Sequence, residues 1–294
     1  MRIGGLEAGG TKMVCAIGDE KGNIEEKCMI PTKTPQETKP KLLKFYQDKE
    51  IEALGIACFG PVDLNRKSET YGYIKKTTKL QWVDYDIVGA VRQALRIPVG
   101  FDTDVNGAML GEAIWGAAKG VENAIYITIG TGIGVGVYIN GRLLHGLVHP
   151  EAGHVLLQRH PDDAYAGFCP YHKDCAEGLA AGPAIEERWG KSGRELADRK
   201  EVWEMEAYYI AQAITDYIMT YSPEKIIVGG GIMQQKQLYG MVRRKVLELL
   251  GGYIVNDRIL EQIEDYIVPP KLGEEAGIKG ALYLGYQEFM ESRK

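Results

Sequence analysis

The sequence predicts an α/β protein of two related domains, and three observations carry that prediction. Apolar runs of strand character alternate with helix-patterned stretches along the 294 residues. That length exceeds what one hydrophobic core usually organises. A pattern of strand, glycine turn and strand at Ile3 to Gly18 returns at Asn123 to Val137, about half a chain later. Two such hairpins imply two related domains facing one cleft, each supplying one phosphate loop, with the break where a helix runs out at Lys119 and Gly120.

Each element follows from local chemistry. I-G-G-L-E, A-G-G-T-K and M-V-C-A-I-G read as strand, turn and strand. In the turn, Gly9 and Gly10 permit positive φ and close backbone approach, while Thr11 and Lys12 add a hydroxyl and an ammonium, so the turn suits an anion. A plain Gly-Gly hairpin is the alternative reading. A third strand-like run, Ile24 to Ile30, leads to a helix near Glu37 to Lys49, with Thr34 as cap and Pro35 in its first turn. The buried-looking strand A-L-G-I-A-C-F breaks at Gly60-Pro61. Asp63, just past it, is a strand-end ligand candidate or a turn aspartate. A helix over Asp86 to Leu95 precedes the strand I-P-V-G-F-D, which delivers Asp102, Thr103, Asp104 and Asn106 to a further helix. One aspartate there is explained as a cap, and a second is a candidate general base. After the second hairpin comes a long irregular region, interrupted by a strand at Gly153 to Gln158. Helices beginning at G-P-A-I-E-E-R-W and spanning Val202 to Tyr221 lead to the strand P-E-K-I-I-V, which ends in Gly229, Gly230 and Gly231. Backbone there can approach a flat ligand such as a purine. One more helix, the strand D-Y-I-V-P-P and a last helix from about Glu274 close the chain.

Composition excludes some functions. Lys and Arg number 35 against 40 Asp and Glu, a net charge of −5, so no basic stripe is available to neutralise phosphates of a nucleic acid. No apolar run reaches membrane-spanning length and the chain opens directly on M-R-I-G-G-L, so a cytoplasmic protein, neither exported nor anchored, is expected. Cys15, Cys28 and Cys58 lie in apolar strand-like runs, as buried reduced thiols do.

The irregular region holds the densest chemistry: H-P-E-A-G-H from His149, then C-P-Y-H-K-D-C-A-E to Glu177. His154, Cys169, His172 and Cys175 are two imidazoles and two thiols at the close spacing of a tetrahedral structural zinc site. A closed four-ligand site leaves no position for substrate, so the metal is read as a clasp on a loop. It would fix the Glu151 and Glu177 carboxylates, which suit the hydroxyls of a polyol.

Taken together, two glycine hairpins, an acidic strand end and a late G-G-G resemble the nucleotide site of the actin, hexokinase and Hsp70 superfamily, whose domains are ribonuclease H-like. Within it, E-A-G-G-T-K, T-I-G-T-G-I-G-V-G, E-A-G-H and C-x-E resemble the ROK family, and C-P-Y-H-x-D-C-x-E-G-L-A-x-G-P-A resembles its bacterial fructokinases. That resemblance implies an N-terminal domain over residues 1–120, completed by the last helix at about 274–294, and a second over 121–273. It implies phosphate loops at Gly9 to Lys12 and at Gly130, Thr131, Gly132 and Gly134, with Gly182, Pro183 and Gly229 to Gly231 toward the nucleotide. Asp104 matches the family's catalytic base, and Gly60, Pro61, Asp63, Thr103, Glu151, His154 and Glu177 match positions around the sugar, His154 also as a zinc ligand. Glu7 stands where most members carry aspartate, and Thr103 where many carry asparagine. The implied reaction is ATP- and Mg²⁺-dependent phosphorylation of a hexose, fructose at O6, by a homodimer holding structural Zn²⁺. A second class in the family, the sugar-sensing repressor, carries a DNA-binding domain ahead of the first loop. Here that loop begins at Glu7, and the acidic charge argues the same way.

Overall fold

The computed structural model describes residues 1–294 and divides them into two compact units. Unit 1 comprises Met1–Gly120, Leu143–His149 and Lys271–Lys294. Unit 2 comprises Val121–Arg142 and Pro150–Pro270.

Unit 1 contains β1 (Ile3–Ala8), β2 (Lys12–Gly18), β3 (Ile24–Pro31), α1 (Pro35–Tyr46), β4 (Ala53–Cys58), the short strands β5 (Tyr73–Ile74) and β6 (Tyr85–Asp86), α2 (Ile87–Leu95), β7 (Val99–Thr103) and α3 (Asp104–Ile114). Its sheet runs β3-β2-β1-β4-β7, antiparallel at β1–β2 and β2–β3 and parallel at β1–β4 and β4–β7. β4 and β7 are buried throughout, as strands covered on both faces are. Thr34 caps α1, its side chain accepting from Glu37 N at 3.2 Å, with Pro35 in the first turn. Asp86 caps α2 through Gly89 N at 2.6 Å.

Unit 2 contains β8 (Ala124–Ile129) and β9 (Ile133–Ile139), with β10 (Arg142–Leu143) at its edge. Then come α4 (Ala176–Ala180), α5 (Gly182–Trp189), α6 (Lys200–Tyr221), β11 (Lys225–Gly229), α7 (Gln237–Leu250), the short helices α8 (Asp257–Leu260) and α9 (Ile263–Tyr266), and β12 (Ile267–Val268). The last helix, α10 (Ala276–Ser292), belongs to unit 1. The second sheet runs β10-β9-β8-β11-β12, again antiparallel in its first hairpin and parallel at β8–β11 and β11–β12.

In unit 1, α10 lies on β1, β4, β7 and α3 at backbone distance. A Cβ at Gly280 would sit 1.7 Å from the Gly107 carbonyl oxygen, and one at Gly55 would sit 1.9 Å from that of Ala281, so the contact exists because these positions have no side chain. This packing seats the start of α3, where the candidate base stands.

Three expectations change. The stretch Gly153–Gln158 is a 3₁₀ turn (Ala152–His154) followed by a single bridge from Leu156 to Cys175, because the loop's backbone is tied to Cys175 and Asp174 instead of to a sheet. The helix after β7 begins at Asp104 and its cap is Thr103, whose hydroxyl accepts from Asn106 N at 3.1 Å, so no aspartate is spent on capping. The segment Leu143–His149, which falls within 121–273, packs with unit 1, held there by two histidines described below.

Candidate functional site

In unit 1 the first glycine turn closes with Gly9 N donating to Lys12 O at 3.1 Å, and a Cβ at Gly9 would lie 2.7 Å from that carbonyl oxygen. Neither Gly9 nor Gly10 takes positive φ, so the requirement is close approach and not the left-handed region. Thr32, just past β3, braces the turn by donating its hydroxyl to Gly9 O at 2.7 Å and its N–H to Thr11 O at 2.9 Å. The Lys79 side chain reaches Gly10, an approach no sequence motif signals.

Three carboxylates gather near the strand ends. Glu7, Ala57 and Asp102 lie in one row across β1, β4 and β7. Asp104 follows as the first residue of α3, one Oδ accepting from Val105 N at 2.8 Å. The Glu7 carboxylate backs onto the bare first turn of α10, where a Cβ at Gly277 would be 2.6 Å from its Oε1. Desolvation, and then the negative charge of Asp104, push Glu7 up to about 7, against the opposing pull of Lys12 and Lys27. Asp102 is buried and hydrogen-bonded by Thr103 N, the Asn106 amide and His145.

The residues matched to the sugar divide. Gly60-Pro61 is a cis peptide, and the next N–H, of Val62, donates to the buried His149 Nε2 at 3.3 Å. Asp63 is held by its own turn, accepting from Ser68 and Thr70 hydroxyls at 2.6 and 2.7 Å and from Asn65 N at 3.0 Å. Desolvation opposes its ionisation, but those hydrogen bonds hold its carboxyl below the usual range. The turn reading therefore accounts for the Asp63 carboxylate. His145, unremarked in the sequence, and His149, noted there only as the start of H-P-E-A-G-H, both pack within unit 1 on non-local partners.

In unit 2 three separated glycine motifs converge. Gly182 N donates to Gly130 O at 2.7 Å, and the atom nearest a Cβ at Gly130 would be Gly231 N, at 4.0 Å. Gly182 and Pro183 open α5, so the helix's unpaired N–H groups meet the second glycine turn, and Thr131 at its tip is exposed. Gly134 lies within β9 opposite Thr128. The three late glycines serve different ends. Gly230 takes φ +94°, Gly229 packs against Pro270 and Tyr126, and Gly231 has nothing within 4 Å of a built Cβ. Gly132 has ordinary φ, and its lack of a side chain makes room for Glu177, whose Oε2 would lie 2.6 Å from a Cβ.

His154, Cys169, His172 and Cys175 place one ligand atom each within 4.8 Å of one another. Cys169 Sγ lies 3.8 and 3.7 Å from His154 Nδ1 and His172 Nδ1, and Cys175 Sγ lies 3.5 Å from His154 Nδ1. A tetrahedron built on metal–sulfur and metal–nitrogen bonds of about 2.3 and 2.1 Å has edges of about 3.4–3.8 Å, so the donor set and its spacing fit a metal ion of zinc's size. Burial pushes the Cys175 thiol up to about 12, which a bound cation would reverse by taking the thiolate. His154 Nε2, the nitrogen away from that cluster, lies 3.9 Å from Glu177 Oε1, and the other Glu177 oxygen accepts from Ile133 N at 3.0 Å. The cluster is thus connected through His154 and Glu177 to the second glycine turn. Glu151 is exposed at the start of the 3₁₀ turn, whose Ala152 carbonyl accepts from the Tyr217 hydroxyl at 2.6 Å.

The ROK family model matches residues 3–288. A relative from Bacillus subtilis (strain 168) is 52% identical over 285 residues, covering 97% of this chain and 95% of its own. A Pediococcus pentosaceus protein named fructokinase is 43% identical over 284 residues, covering 97% of each. The crystal structure of a ROK hexokinase from Thermus thermophilus superposes with a TM-score of 0.83 at 27% identity, over 99% of this chain and 100% of that one.

Proposed function

The chain belongs to the ROK family, and on that premise we propose that it is an ATP-dependent sugar kinase that phosphorylates fructose at O6. The observation that supports this best is the full-length similarity to proteins named fructokinase at above 40% identity, together with the C-P-Y-H-K-D-C-A-E run. Phosphoryl transfer demands positioning and charge stabilisation more than covalent chemistry. Asp104 takes the proton of the attacking hydroxyl. Its carboxylate is not needed as a helix cap, since Thr103 fills that role. Lys12 and the amides of the two glycine turns bind phosphate oxygens, and Gly231, open on the side where a side chain would stand, lies against the adenosine.

Two metals have separate places. The His154, Cys169, His172, Cys175 cluster holds Zn²⁺ as a structural clasp that orients Glu177 and Glu151 toward the sugar. Its thiols and imidazoles do not suit Mg²⁺, which prefers oxygen donors, so Mg²⁺ is carried chiefly by the nucleotide's phosphates and water. When bound, it neutralises charge on the transferring phosphoryl group.

The test is ADP release measured across fructose, mannose, glucose and an N-acetylhexosamine. Fructose is expected to give the highest kcat/KM, and another hexose ahead of it would overturn the substrate assignment. The same assay on Asp104→Asn should show turnover lost with fructose binding retained.

A further inference from the structure

Asp102 is 3% exposed, and a buried carboxylate needs compensation. One of its oxygens accepts from Thr103 N at 2.8 Å and from Asn106 Nδ2 at 2.6 Å, the other meets His145 Nε2 at 2.8 Å. A carboxylate can only accept, so the ring nitrogen facing it donates. The hydrogen bond to Asp102 holds the ring's pKa above its ordinary value against the opposing effect of burial, with the Asp102 charge adding to it. The Leu143 backbone then acts on the ring in the same sense, favouring its charged form.

The position of this ion pair gives it a consequence for the chemistry. Asp102 Oδ1 clamps both flanks of the turn 102–106, whose middle residue is Asp104, and Thr103 caps the same turn. We propose that His145 is a positioning residue of phosphoryl transfer: docked on Asp102, it holds the Asp102–Asn106 turn in the geometry that aims the Asp104 carboxylate. The inference rests on Asp104 being the base. The His145 Nε2 is taken by Asp102, so the effect of His145 should fall on kcat and little on binding.

Beside the pair, the Tyr71 phenol feels the Asp102 charge, together with those of Arg66, Glu288 and Arg92. Because the folded-state pKa of His145 is raised, its contribution is fully present below its unperturbed value of about 6.5 and is lost as pH rises through the raised one. Turnover should therefore carry an alkaline limb that belongs to this ring.

The experiment compares the full-length wild type with His145→Ala, His145→Gln and Asp104→Asn, reading kcat and both KM values from about pH 5.5 to 9. A displaced catalytic group costs up to about 10²-fold, so His145→Ala should lose about 10- to 100-fold in kcat while both KM values change less than about threefold. His145→Gln, which can still donate to Asp102 but cannot titrate, should recover part of the rate and lack the alkaline limb. It also carries the test alone if the alanine variant does not fold. A kcat for His145→Ala within about twofold of wild type, or an alkaline limb unchanged in His145→Gln, would overturn the proposal. Asp104→Asn separates the two readings. If it is inactive while His145→Ala is normal, only the positioning role falls; if it turns over like wild type, the base assignment falls and the positioning role with it.

Discussion

Unit 1 and unit 2 share one strand order and one pattern of parallel and antiparallel pairing, yet they place different chemistry at the ends of their strands. In unit 1 the strand ends and the helix start carry Glu7, Asp102 and Asp104, charged side chains set by packing against α3 and α10. In unit 2 the glycine turn, the start of α5 and the glycines after β11 come together as bare backbone. The candidate side chains Glu151 and Glu177 flank an irregular loop that carries the His154, Cys169, His172, Cys175 cluster. A repeated fold therefore supplies the frame twice and the chemistry once. On the proposed function, unit 1 would supply the base and the first phosphate turn, and unit 2 the second phosphate turn and the sugar loop.

The sharpest way to break this division is Asp104→Asn. The change keeps the shape and removes the base, so kcat should drop about 10²–10⁴-fold with the sugar dissociation constant and the melting temperature nearly unchanged. Turnover close to wild type would mean that unit 1 contributes no general base.

A smaller effect, of about 10²-fold in kcat/KM for ATP, is expected from Gly132→Val in unit 2. The branched side chain would enter the space of the Glu177 carboxylate and break its bond from Ile133 N, leaving the fold intact because φ at this position is ordinary. Steady-state kinetics beside circular dichroism decides it, since unchanged ATP kinetics would make the turn a plain hairpin.

Cys175→Ser should cost about tenfold in KM for fructose. It should also abolish stoichiometric zinc in elemental analysis and lower the melting temperature. Full activity of metal-free protein in excess Mg²⁺ would show that the loop holds its shape unaided.

The mildest change sharpens the picture of unit 1. Glu7 has a raised pKa of about 7, so the folded state favours its protonated form and loses stability as pH rises from the ordinary carboxylate range through 7. Glu7→Gln should melt a few degrees above wild type at about pH 8 and with it at about pH 5. Equal melting curves at both values would mean that Glu7 is not desolvated beside Asp104.

Much of this was legible in one dimension. Both glycine hairpins, the Thr34 cap and the four-ligand spacing are set by residues close together in the chain, where turn chemistry, capping and donor geometry act directly. The strand expected at Gly153–Gln158 failed for a related reason. Its apolar run looks like a strand locally, but its backbone partners are Asp174 and Cys175, which belong to the loop and not to either sheet.

The sequence by itself determined which chemical groups are available and the local turns that present them, because backbone preference and ligand spacing are short-range properties. Only the tertiary structure decided which distant groups share a charge or a contact. His145 meets Asp102 across 43 positions, Gly130, Gly182 and Gly231 come from three motifs, and Glu7 rests on Gly277 near the other end of the chain. Such pairings follow from how the sheet and α10 bury their surfaces against each other, an energy summed over the whole unit and written in no single motif.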